Sequence, residues 1–228
     1  MSFSLVGRTR FAVLALAGAV PLVAMLTACG SDSTTSPHSA PGVDTIAVDA
    51  ASYEQVEYYG SHGSDSGFYS WQNDGGYQDV GFYNSSGGYF YEDRALMGFT
   101  LPTLAGRGVV DSAKAYVYEC GSNYAMTLGS VTLDHVHFGA ALNDSLAFLG
   151  DSLQNSVGTA SSDTITGFHS VAVTSSVQAD YAAKRNDSEY RMRFLPTTPL
   201  TGNYDYFVDF GEDECNGGSL PFLVIWSH

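Results

Sequence analysis

Basic residues are scarce in this chain: nine Lys and Arg stand against 24 Asp and Glu in 228 residues, a formal net charge of −15. Such a field repels phosphate backbones and anionic lipid headgroups, which excludes nucleic acid and disfavours anionic membrane surfaces as partners. Charged residues of both signs make up only 14% of the chain, too few for a disordered acidic tail. Beyond the first 28 residues no apolar run is long enough to span a bilayer, and no segment repeats at a fixed period. Leu-rich heptads and EF-hand spacing are also missing. Only three cysteines occur, Cys29, Cys120 and Cys215.

The N-terminus has the three parts of a secretory signal. Arg8 and Arg10 form a positive start, an apolar stretch from Phe11 to Leu26 is interrupted by Pro21, and Thr27-Ala28 supplies small residues. A retained transmembrane helix is the alternative, but the run is shorter than about 20 residues and carries a proline. Leu26-Thr27-Ala28-Cys29 resembles the lipobox of bacterial lipoproteins. The resemblance implies cleavage before Cys29, a diacylglycerol on its sulfur, and commonly a further acyl chain, enough for stable anchoring. Gly30 after the cysteine implies that the protein is not kept at the inner membrane. Cleavage leaves seven basic against 24 acidic residues, a net charge of −17.

With Cys29 carrying lipid, Cys120 and Cys215 form an even pair in an oxidising compartment. A disulfide is the natural reading and two buried free thiols the alternative. Residues 29–43 (CGSDSTTSPHSAPGV) are polar, Ser-, Thr- and Pro-rich, and form a flexible tether. About 185 residues follow, enough for one core. They are rich in Gly, Tyr, Phe, Val, Thr and Ser, a composition that favours strands and turns.

Strand signals recur along residues 44–228. RALMGFTL (94–101) predicts a central strand. DSAKAYVY (111–118) alternates with Ala113, Ala115 and Val117 on one face. EYRMRFL (189–195) places Tyr190, Met192 and Phe194 opposite Arg191 and Arg193, and LPFLVIW (220–226) predicts an apolar closing strand. Residues 126–138 and 168–173 also read as extended. Residues 174–184 predict one short helix, with Ser175 and Gln178 spaced for a capping box and Val177 and Tyr181 on its apolar stripe. Residues 139–167 predict a polar excursion with short elements. Many short strands and one helix argue an all-β sandwich.

The order of these pieces resembles the DNRLRE-type jelly-roll modules of bacterial surface proteins, relatives of carbohydrate-binding modules. Arg94-Ala95-Leu96-Met97-Gly98-Phe99-Thr100-Leu101-Pro102 is similar to their Arg-x-Leu-x-Phe strand, and Val110 to Val117 to the strand that follows it. Val171-Ala172-Val173-Thr174-Ser175-Ser176-Val177-Gln178 looks like their strand-to-helix turn, and Leu220 to Trp226 like their closing strand. The resemblance implies a jelly-roll-like antiparallel β-sandwich and leaves room for a structural calcium. No ligand residue transfers, because residues 139–167 lack the Trp-rich stretch common in that family.

Several residues suggest chemistry. Tyr58, Tyr59, Tyr69, Trp71, Tyr77 and Tyr83 cluster among glycines, and exposed aromatic rings stack on sugar faces. Tyr69, Trp71, Tyr77 and Tyr83 are the candidate ligand platform, with burial in the sandwich as the alternative. His135 and His137 alternate on one strand and form a candidate zinc or copper pair, which His169 or His228 could complete. The acids at Asp205, Asp209 and Glu212-Asp213-Glu214 offer oxygens for calcium. Gly150-Asp151-Ser152-Leu153 resembles the nucleophile block of GDSL-type hydrolases, and Asp134-His135-Val136-His137 matches that family's Asp-x-x-His, but in the reverse order and without that family's helices.

The expectation is therefore a signal peptide (1–28), a lipidated tether (29–43) and a single β-sandwich domain (44–228). The protein is expected to be non-catalytic and lipid-anchored at the bacterial envelope, at the outer membrane or cell surface, where it binds a glycan or a surface protein. The alternatives are a structural or adhesive module and a hydrolase using Ser152.

Overall fold

Alternation of inward apolar and outward polar residues, two residues per repeat, builds several of the strands of this protein, and others are buried on both faces. A computed structural model describes residues 41–61, 67–72, 77–85, 88–104, 108–123, 129–138, 144–150, 152–196, 205–211 and 220–228. The chain divides into two units, Met1–Pro37 and His38–His228, and all described residues belong to the second. Cys29 and the expected signal and tether up to residue 40 lie outside the described residues.

Twelve strands follow in order: β1 (Gly42–Ala47), β2 (Glu54–Ser61), β3 (Gly67–Gln72), β4 (Tyr77–Ser85), β5 (Tyr89–Thr100), β6 (Val110–Asn123), β7 (Ser130–Val136), β8 (Ser152–Ser161), β9 (Gly167–Ala172), β10 (Asp187–Leu195), β11 (Tyr206–Gly211) and β12 (Phe222–Ser227). Helix α1 (Asp144–Leu149) precedes β8, and α2 (Thr174–Ala182) links β9 to β10. Hydrogen bonds join the strands in the order β1-β12-β6-β11-β4-β5-β10-β7-β8, with β2 and then β3 added beside β5, and β9 beside β6. Every described pairing is antiparallel. The path folds over on itself: Phe194 of β10 meets Phe82 of β4 at 6.4 Å and Tyr206 of β11 at 5.4 Å. The result is an all-β, sandwich-like fold.

The core takes the faces that alternation predicts. Ala113, Ala115 and Val117 of β6 are at most 1% exposed, as are Tyr190, Met192 and Phe194 of β10. Leu223 and Ile225 of β12 join the same core. A second apolar cluster, Val56, Leu96, Val136, Phe138, Ala147 and Phe148, lies where α1 packs on β2, β5 and β7.

Three expectations are corrected. Among the described residues there are two α-helices rather than one, since α1 arises in the polar stretch 139–167. That stretch also holds β8, ten residues long, which among the described residues pairs only with β7 at the end of the path; mostly polar and exposed, such an edge strand carries little alternation. The capping box does not form: no side chain caps α2, Gln178 Nε2 instead donates to Val110 O at 2.7 Å, and Thr174 Oγ1 accepts from Ala113 N at 3.0 Å. Both side chains bind the helix to β6, a contact that local spacing does not encode.

Candidate functional site: an aromatic row above buried carboxyl groups

Residues directly opposed on neighbouring strands share a face, and their side chains touch. Phe68 of β3 opposes Tyr59 of β2, Tyr59 opposes Tyr91 of β5, and Tyr91 opposes Tyr83 of β4. Tyr59 lies 4.9 Å from Phe68, 4.8 Å from Tyr91 and 5.3 Å from Tyr89, the last in a stacked arrangement. Tyr83 stacks on Phe207 of β11 at 4.5 Å and 20°. The face therefore carries an aromatic row across five strands. Phe68 is 57% and Tyr89 42% exposed, and Tyr59, Tyr91, Tyr83 and Phe207 are half-buried.

One step along the strands the same face turns acidic. Glu57 opposes Asp93, with Ser70 Oγ donating to Glu57 Oε1 at 3.2 Å. Asp79 and Asp209 oppose each other on β4 and β11, and Tyr83 Oη donates to Asp79 Oδ2 at 2.5 Å. Between these acids sits Gly81, at φ 157°, where a Cβ would come 2.3 Å from Tyr206 O and 2.5 Å from the Phe207 Cα. A side chain at that position would collide with the β11 backbone, so the glycine permits close pairing there.

No described cation balances this face. Burial, then the charges of Glu57 and Asp79, pushes the Asp93 carboxyl up to about 8, against a hydrogen bond from Gln55. Burial, the hydrogen bond with Asp79 and the charges of Asp79 and Glu119 raise Asp209 to about 8 as well. Asp93 Oδ1 is buried without a hydrogen-bond partner. The Tyr83 hydroxyl is pushed far up by burial and by its bond to Asp79, so it remains a donor at physiological pH. Apolar ring faces thus stand beside fixed hydroxyls and carboxyl groups, the combination that a sugar ring with its C–H face and hydroxyl rim requires.

The predicted platform residues separate. Tyr83 belongs to the row. Tyr69 follows Phe68 and so turns to the opposite face, where it packs 4.9 Å from Tyr58 and 5.2 Å from Phe148. Trp71 and Tyr77 lie on β3 and β4, with their side chains outside the described residues.

His135 and His137 serve different carboxylates. His135, 2% exposed, reaches Asp180 of α2 at 2.9 Å; His137 Nδ1 lies 2.7 Å from Glu189 of β10. His228 pairs with Asp111, and His169 with Glu119. Ser152 Oγ accepts from Arg191 Nη2 at 3.0 Å, and Asp134 is bound by Arg191 and Arg193. Ser152 and Asp134 therefore share the Arg191 guanidinium, whereas His137 faces Glu189. Cys120 is disulfide-bonded; Cys215 lies outside the described residues, as do Glu212, Asp213 and Glu214. Asp205 Oδ1 accepts from Asn84 N at 2.8 Å.

Phe68, Tyr89, Tyr91 and Phe207 were not legible as site residues, although alternation in YEQVEYY already places Gln55, Glu57 and Tyr59 on one face. Their convergence depends on the register of five strands, which no local pattern carries. No protein-family model matches the chain, and no curated protein matches it.

Proposed function

We propose that this protein is a non-catalytic β-sandwich module, tethered to the bacterial envelope through lipid on Cys29, that binds glycan along the row Phe68–Tyr59–Tyr91–Tyr83. The observation that carries this reading is the row itself. It runs over strands spaced about 4.8 Å apart, so its four members extend about 14 Å, and Phe68 at its end and Tyr89 beside it are both more than 40% exposed. A sugar chain laid across it stacks successive rings, while Glu57 and the Tyr83 hydroxyl offer hydrogen bonds at its rim. The lipobox resemblance supports the anchor, and the jelly-roll resemblance supports a surface-binding role.

Glycan arrays followed by titration test the binding half. Phe68→Ala and Tyr89→Ala are each expected to weaken binding of the best glycan by about two- to tenfold, the loss of roughly one stacked ring at about 0.5–1.5 kcal/mol. Blank arrays together with blank pull-downs from envelope extracts leave only a structural or adhesive role. For the anchor, Cys29→Ser is expected to abolish incorporation of labelled palmitate and release the protein from membranes.

A further inference from the structure

We infer that Glu119, Asp163 and His169 form a binding site for one zinc-class divalent cation, distinct from the aromatic face. Glu119 lies on β6, His169 on β9 and Asp163 in the connection between β8 and β9. One donor atom from each lies within 4.8 Å of the other two. His169 Nε2 and Glu119 Oε2 are 3.2 Å apart, close to the edge of about 3.3 Å that two ligands subtend in a tetrahedral site with 2.0–2.1 Å bonds.

Proximity of acids alone does not make a site, and the second observation is the state of Glu119. Its residue is 0% exposed. Oε2 accepts from Ser161 Oγ at 2.5 Å and faces His169, while Oε1 is buried without any hydrogen-bond partner. A buried carboxylate oxygen without a donor is costly, and a cation removes that cost. Burial raises the Glu119 carboxyl against the pull of Ser161 and His169, with the Asp163 charge adding to the rise.

The donor set selects the ion. One imidazole nitrogen and two carboxylates suit zinc and its first-row neighbours, whereas calcium and magnesium prefer oxygen alone. Three protein ligands leave a fourth position in a tetrahedral site, and Asp163 is the exposed member of the three. His169 Nε2 also lies 2.9 Å from Ile165 O, so metal binding at Nε2 requires the neutral ring to carry its proton on Nδ1 and to give up that contact. Bound metal would fasten the β8–β9 connection to β6, next to Thr166 Oγ1, which already donates to Cys120 O at 3.2 Å.

The test uses the full chain, purified without a histidine tag and stripped with chelator, then titrated with zinc chloride by calorimetry. One equivalent is expected to bind, with a rise in Tm that EDTA reverses. Asp163→Asn keeps the oxygen that caps Ile165 N, so the variant should fold; it and His169→Ala should each weaken zinc at least about tenfold. His137→Ala should leave zinc affinity unchanged. Lack of saturable binding at submillimolar zinc overturns the inference. Unchanged affinity in both site variants, loss in His137→Ala, or calcium binding as tightly as zinc does so equally.

Discussion

On the β7–β10 side of the molecule Asp134, fully buried, is held by Arg193 at 2.7 Å, Arg191 at 3.1 Å and the Ser156 N–H at 2.8 Å. On the β5–β4–β11 face Asp93, also buried, has no cation beside it among the described residues and one oxygen without a partner. The same residue type therefore ends in opposite states. Burial pushes both up, but the arginines and the backbone donor bring Asp134 below the ordinary carboxylate range, while Asp93 rises to about 8. Asp180 follows Asp134, since His135, Ser188 and Arg185 overcome its burial. Glu92, with Arg94 as its neighbour, stays raised because its burial is larger than that help.

Scarcity of positive charge explains the division. Of the seven Lys and Arg after Cys29, Arg94, Arg185, Arg191 and Arg193 all hold acids around α1, α2 and β10. Arg94 and Arg191 also donate to Phe148 O at 2.6 and 2.7 Å, and Arg94 sits 3.8 Å over the Phe148 ring. Those guanidinium groups anchor α1 and act structurally. The acids of the aromatic face are left to share protons and hydrogen bonds, as binding groups commonly are.

The largest expected effect lies on the arginine side. Arg191→Ala removes a guanidinium that is 3% exposed and bonds Asp134, Ser152 and Phe148, and should cost about 3–5 kcal/mol in denaturant unfolding. A loss below about 1 kcal/mol, the value for exposed pairs, would erase the contrast. Next is Gly81→Ala on the aromatic face. Its Cβ collides with the β11 backbone at a positive φ, and about 1–3 kcal/mol is expected on the same assay.

The pH dependence separates the two regions more finely. Asp93 and Asp209 are raised above the unfolded value of about 3.9, so their protonated forms stabilise the fold below about pH 4. That contribution declines as pH climbs to about 8 and then changes no further. Asp134 and Asp180, being lowered, contribute above the unfolded value and lose that contribution as pH falls through their folded values. Asp93→Asn should therefore narrow the stability difference between pH 5.5 and pH 9 by at least about 1 kcal/mol. An unchanged difference would place the alkaline loss elsewhere. The smallest stability effect belongs to Phe68→Ala: with its ring 57% exposed, unfolding should shift by no more than about 0.5 kcal/mol, while glycan binding weakens.

Much of the fold was legible because strand alternation is local. The sequence RMRFL alone places Arg191 and Arg193 opposite Met192 and Phe194, and β10 keeps that division. The Ala113, Ala115 and Val117 face of β6 was equally plain, as was the existence of α2. Helix α1 and β8 were not, since a six-residue helix is too short to show a period and β8 is polar and exposed along most of its length. Residues determined by themselves which side of its strand each side chain takes, the shortage of cations and the lipobox-like address. Only tertiary structure decided that Phe68, Tyr59, Tyr91 and Tyr83 form one row, that Asp79 meets Asp209, and that Glu119 meets His169. Side is fixed by a repeat of two residues, but partners are fixed by register between strands far apart in the chain, which is settled by the packing of the whole sheet.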